Sequence, residues 1–177
     1  FTVGWAHWAA ATLHLVKGDW AKARSLIEHG IAVVRTGNVI ILLPYAVASS
    51  AWALAQLGEA NEALNRLREG EQILERSAGR GFVGNLGWGY HALGRACLLL
   101  GRLDEARSLG ERAIESSPGH QGFEAHALHL LGDIATHPDR FDAESGEAHY
   151  RQALALAEPR GMRPLVAHCH LGLGKLY

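Results

Sequence analysis

The chain has 177 residues, 48% of them hydrophobic and 20% charged, which suits an ordinary soluble domain with one continuous core and is too short for two large ones. Its 17 basic and 18 acidic residues leave a formal net charge of -1, so no field draws the chain to nucleic acid or to an anionic membrane, and neither is expected as a partner. Apolar runs such as residues 39–43 fall far short of the roughly 20 residues needed to span a bilayer.

The chain begins Phe1-Thr-Val-Gly-Trp5, without Met and without a basic stretch ahead of an apolar one, so it reads as a fragment of a longer protein and not as a signal peptide. From there the predicted elements come in pairs. A first helix carries a small residue at Ala11 and stops at Gly18, where glycine takes the left-handed C-terminal conformation without a Cβ clash. Gly18-Asp-Trp-Ala-Lys-Ala23 leads into a second helix with Gly30 at its middle and its end near Arg35-Thr-Gly37. Pro44 suits the start of the next first helix, which carries Ala51 and gives way at Gly58-Glu-Ala-Asn-Glu-Ala63 to a second helix with Leu64, Leu67 and Ile73-Leu74 in a stripe around Gly70. The third pair has Leu93, Ala96, Cys97 and Leu100 around Gly94, the turn Gly101-Arg-Leu-Asp-Glu-Ala106, Ala113 in its second helix, and an end at Ser117-Pro-Gly119. A fourth pair carries Gly132 and Ala153 and ends at Glu158-Pro-Arg-Gly161. A fifth first helix starts near Pro164, carries Gly174 and reaches Tyr177 with no second helix over it, so apolar surface there is expected to invite self-association.

A unit repeated roughly every forty residues cannot bury its apolar face alone, and stacking supplies the core. The pattern predicts an all-α, right-handed superhelical solenoid of antiparallel helix pairs, about nine helices in one domain, with repeats near 1–43, 44–86, 87–124 and 125–163 and a partial one at 164–177. The small residues mark close helix crossings, where a larger side chain costs roughly 1–3 kcal/mol through overpacking. Cys97 and Cys169 lie in apolar patterns of different repeats and read as buried reduced thiols, which fits a cytoplasmic setting.

The third unit resembles a tetratricopeptide repeat: Leu93-Gly94, Ala106, Ala113 and Pro118 fall at that family's spacing, and Tyr177 follows Leu173-Gly174 as the family's tyrosine would. The periods, about 38 to 43 residues against the family's 34, Cys97 in place of a tyrosine, and Ala10-Ala11 and Ser50-Ala51 in place of Leu-Gly depart from it and keep a HEAT-like array of helix pairs open. A narrower resemblance rests on Leu43-Pro-Tyr45, Leu131-Gly-Asp-Ile134, His149-Tyr-Arg-Gln-Ala-Leu-Ala-Leu156 and the run from Arg163 to Tyr177. These are similar to the C-terminal repeat region of large bacterial signalling proteins, in which a class III nucleotide cyclase or a DNA-binding domain is joined to a signal-transduction ATPase and then to such repeats. The resemblance implies a sensor or scaffold segment, with neither cyclase nor ATPase in these residues.

Motifs for chemistry are weak. Gly79-Arg-Gly-Phe-Val-Gly84 matches G-x-G-x-x-G but follows a helix instead of a strand and reads as an inter-repeat linker. Gly172-Leu-Gly-Lys175 lacks the spacing and the hydroxyl of a P-loop. His126, His129 and Asp133 share a helix face and His168-Cys169-His170 follows later, yet no HExxH or paired CxxC supports zinc, so neither metal nor cofactor is expected. Ser49, Ser50, Ser108 and Ser116-Ser117 lack a strand-to-helix elbow. The chain is expected not to be an enzyme.

In tetratricopeptide arrays the first helices line a concave groove, and carrying that over in register selects Trp5, Trp8, Tyr45, Trp52, Trp88, His91, Arg95, His126, His129, Asp133, His168 and Lys175. Aromatics gather early in this series and His, Arg, Lys and Asp late. Aromatic and Arg side chains are the usual binding anchors, although Trp5, Trp8 and Trp52 could equally fill the core. The leading expectation is an interaction module that docks a peptide, a protein or a neighbouring ATPase or cyclase domain. The alternative is a small-molecule sensor in which a metabolite stacks on the aromatics and regulates such a domain; a bare spacer is a third reading. The histidines, with ordinary pKa values of about 6.5, would also permit a pH response.

Overall fold

The structure is a computed structural model and describes residues 2–37, 40–79 and 86–177. Among these, nine α-helices follow one another: α1 (Thr2–Lys17), α2 (Trp20–Thr36), α3 (Leu43–Gln56), α4 (Ala60–Gly79), α5 (Leu86–Leu99), α6 (Leu103–Glu115), α7 (Gln121–Ala135), α8 (Ala143–Ala157) and α9 (Arg163–Gly174). Single 3₁₀ turns at Ile40–Leu42, Pro138–Arg140 and Glu158–Arg160 lie between them, and no strand occurs among the described residues. Most of the G-x-G-x-x-G segment, residues 80–84, lies outside the described residues; Gly79 is the last residue of α4.

The repeated turn folds the same way each time. Gly18, Gly58 and Gly101 have φ of 81°, 77° and 73°, a conformation that only glycine adopts without strain. The residue after each closes a long bond back into the helix, Asp19 N–H to His14 O at 2.9 Å, Glu59 to Leu54 at 3.0 Å and Arg102 to Cys97 at 2.9 Å. These caps satisfy carbonyls that the helix end would otherwise orphan, and they turn the chain back within two or three residues. At the opposite ends, Pro44 and Pro164 sit in the first turns of α3 and α9, where a missing N–H costs nothing.

Within each pair the helices are antiparallel, and each second helix also packs on the next first helix. The buried apolar residues form a large cluster from α1 to α7 and a smaller one of Ala125, Leu128, Ala153, Leu154, Ala157, Leu165 and Cys169 on α7, α8 and α9, so the core is divided where one continuous core was expected. Ala11, Ala51, Ala113 and Ala153 are fully buried at the crossings. A Cβ on Gly94 would stand 2.6 Å from a Leu130 methyl and one on Gly132 2.6 Å from the Tyr150 ring, too close for either to remain in place. Gly174 is the exception: a Cβ there would meet nothing within 4 Å among the described residues. Tyr150 wedges between α7 and α9, its ring also 2.5 Å from a Cβ built on Gly172. Ion pairs Arg24–Glu59 and Arg66–Glu28 tie the second helices of the first two repeats, and Glu28 also accepts a 2.6 Å bond from Ser50. Cys97 and Cys169 are buried free thiols, and burial pushes both up to about 12, so neither is nucleophilic. No described helix is long and apolar enough to cross a membrane.

Candidate binding groove

The register of the repeats converts into geometry. Trp5, Tyr45, Trp88, His126 and His168 each stand six residues before the small residue of their first helix, and Trp52, Arg95, Asp133 and Lys175 each stand one after it. The first row, with Trp8, His91 and His129 a turn further on, forms a nearly continuous seam of rings. Trp8 lies 5.6 Å from Tyr45 and 6.0 Å from Trp88, and Trp88 lies 5.4 Å from His126 and 5.2 Å from His91. His91 and His126 are 5.3 Å apart, and His129 and His168 6.0 Å. Contact between α1 and α5 means that the array curls tightly enough for its own aromatics to fill this side of the groove.

That filling corrects one expectation. Trp88, Trp52 and Tyr45 are only 2%, 5% and 6% exposed, so they are core and not open anchors; Trp5 and Trp8 are half-buried against the same core. The Trp88 indole N–H donates to Ser49 Oγ at 3.2 Å, which explains a buried serine with no catalytic setting. Ser117 Oγ likewise donates to the Ala113 carbonyl.

Beyond the buried Trp52, the second row is polar and partly open. The Arg95 guanidinium stands over the Trp52 ring, 5.7 Å from its centroid, and pairs with Asp133. Asp133 also accepts a 2.7 Å bond from the Tyr150 hydroxyl and lies 3.6 Å from His129 Nδ1. Burial alone would raise its pKa, but Arg95, His129 and the hydrogen bonds outweigh it and hold the carboxyl below its ordinary range. Burial, with smaller contributions from the neighbouring cations and rings, lowers His91 strongly, His126 to about 3 and His129 to about 4. These three imidazoles are therefore neutral at pH 7 and do not titrate near it, contrary to the pH response that their ordinary pKa suggested. Among the described residues no three His, Cys, Asp or Glu side chains are arranged to hold a metal ion, and Asp133 is already committed to Arg95 and Tyr150.

Two spaces result. A half-open cleft of about 220 Å³ lies among Trp20, Trp52, Gln56, His91, Arg95 and His126, with Leu15, Lys17 and His168 also in its lining. A wider trough of about 630 Å³ is bordered by Leu98, Leu99, Leu171 and Lys175, with Arg95, Asp133 and Tyr150 in it. Trp20, Gln56, Tyr150 and the apolar border were missed in sequence. Trp20 and Tyr150 belong to second helices, which a groove register does not sample; the signal that could have found Tyr150 is the pair Gly132 and Gly172, which make room for a large ring.

Residues 4–29 and 87–112 match the family model of the tetratricopeptide repeat. Each match starts in a first helix, α1 or α5, and runs into its antiparallel partner. With the paired helices, these matches define an all-α helical solenoid with tetratricopeptide-like repeats, and they favour this kind of pair over a HEAT-like one. No curated protein matches the chain.

Proposed function

We propose that this chain is a non-catalytic interaction module that takes an extended segment of a protein partner in the trough between α5, α7 and α9. The observation that carries the reading is the character of that trough: Leu99 and Leu171, 44% and 57% exposed, flank a polar floor with Arg95 and the exposed Lys175. Apolar borders with a few placed polar groups are what a peptide-binding surface needs, and the tetratricopeptide match supports a protein as the partner. The segment would place apolar side chains on the leucines and an acidic group at Lys175. The ring seam at the other side is already filled and contributes rigidity instead of contact.

The similarity to bacterial signalling proteins supports a place for the module in the cytoplasm beside an ATPase or nucleotide cyclase domain, so such a domain of the same polypeptide is the first partner to test. Exposed Leu171 and Tyr177 also offer a surface for self-association. Paired baits test the reading: wild type and Leu171→Glu/Lys175→Glu, both exposed positions, used for affinity capture from the source organism's lysate. A polypeptide held by wild type and lost by the variant supports trough docking; equal retention by both overturns it.

A further inference from the structure

We propose that an open stripe on α1 is a docking site for an amphipathic α-helix of a protein partner, seated there as each second helix is seated on the next first helix inside the array. The site lies on a different helix from the trough and takes a helix instead of an extended segment. Val3, Ala6, Ala10 and Leu13 follow one another at spacings of three and four, so they form one stripe, and all four are exposed, Val3 by 55% and Leu13 by 52%.

The occupant follows from an interface that the array already repeats. The four residues stand eight, five and one before the small residue Ala11 and two after it. Later first helices bury this register under the preceding second helix. In α5 a Cβ on Gly89 would stand 2.6 Å from a Leu74 methyl of α4, and Leu93 seats against Gly70. In α7 Leu131 seats against Gly110 of α6. In α3 Ser50 donates to Glu28 of α2 at 2.6 Å, with Ala46 and Ala53 buried on either side of it in the stripe. The cover is each time a helix with an apolar stripe inward and charges outward, as in α4, where Leu67, Gly70 and Leu74 are buried while Arg68 and Glu75 are exposed.

Composition makes the same demand. α1 carries no Asp, Glu, Lys or Arg from Thr2 to Val16, as α3 carries none from Leu43 to Gln56, and α3 is buried from Pro44 to Leu54. A helix without a charged face is normally buried, and the stripe leaves that surface of α1 in water. The register also sets the partner's shape. Where α5 and α7 present Leu93 and Leu131, α4 and α6 answer with glycine. α1 presents Ala10 at that place, so the docked helix carries a large aliphatic residue there to fill the space.

The probe is a synthetic peptide with the α4 sequence, Ala60–Gly79, carrying Gly70→Leu, titrated into the protein with amide NMR shifts as the readout. Saturable binding below about 1 mM is expected, with shifts centred on α1. The unmodified α4 peptide should bind several-fold more weakly, and a peptide that also carries Leu67→Glu/Leu74→Glu should not bind. Affinity should fall about tenfold or more in Leu13→Glu and in Ala10→Gln, both at exposed positions, with the protein's melting midpoint unchanged. Absence of saturable binding up to about 1 mM, shifts centred outside α1, or equal binding by both protein variants would each overturn the proposal. So would a doubled mass in light scattering that Leu13→Glu abolishes, since the stripe would then belong to a second copy. Because Leu171→Glu/Lys175→Glu leaves α1 intact, peptide binding by that variant separates this site from the trough.

Discussion

Arg95 on α5 is ion-paired with Asp133 on α7, so two successive first helices are joined across the groove floor, and the Tyr150 hydroxyl fastens α8 to the same carboxylate. Removing Arg95 leaves Asp133, whose side chain is 27% exposed, with its cation gone. Breaking a fully buried pair costs about 3–5 kcal/mol, and the partial exposure here brings the expected loss for Arg95→Ala to about 1–3 kcal/mol. Arg95→Met/Asp133→Leu, which removes both charges, should lose less than the sum of the single variants. Urea unfolding of wild type, Arg95→Met, Asp133→Leu and the double variant, a closed double-mutant cycle, measures the coupling directly.

Two glycines in the same register separate crossing from chance. Gly132→Ala drives a methyl group into the Tyr150 ring and is expected to destabilise by about 1–3 kcal/mol. Gly174→Ala meets open space near the end of a helix and should be neutral or stabilising by up to about 1 kcal/mol. Thermal melts of the pair check this, and equal losses would mean that the crossings are misplaced.

Stability should fall in mild acid. The native pKa values of His126 and His129, about 3 and about 4, lie below the ordinary value near 6.5, so below pH 6.5 the unfolded chain binds more protons than the folded one. The stabilisation is complete above that pH and is lost as pH drops toward 4. Between pH 7 and pH 5 the loss should be about 2 kcal/mol for each of the two imidazoles, about 4 kcal/mol together, from a limit of about 1.4 kcal/mol per pH unit for each proton. Urea midpoints at pH 7, 6 and 5 measure it, and His129→Gln should flatten the profile.

Much of the fold was legible because its rules are local. A glycine that must be left-handed and a small residue that must be small recur at fixed places, so the pairs, the turns and the stop near Gly37 could be read from one chain. The groove was legible only as a register. Which side of the register is open depends on how tightly the array curls, a property summed over every crossing, and it decides that Trp88 is core while Lys175 is exposed. Histidine titration was misread for the same reason, since burial follows from curvature and not from spacing.

The ring seam should therefore behave as core. Trp52→Ala/Trp88→Ala, which deletes two nearly buried indoles and leaves Ser49 without its partner, is expected to lose the cooperative melt, at about 3–5 kcal/mol for each truncation. Circular dichroism on heating checks it; retained helicity with an unchanged midpoint would show that the seam is not structural.

The most direct measurement of the central claim is a hydrogen-exchange footprint of the chain with its captured polypeptide partner. Trough docking predicts new protection confined to the C-terminal part of α5, the end of α7 with the Pro138–Arg140 turn, and α9. Protection on α2, α4 and α6, with the trough unchanged, would contradict it.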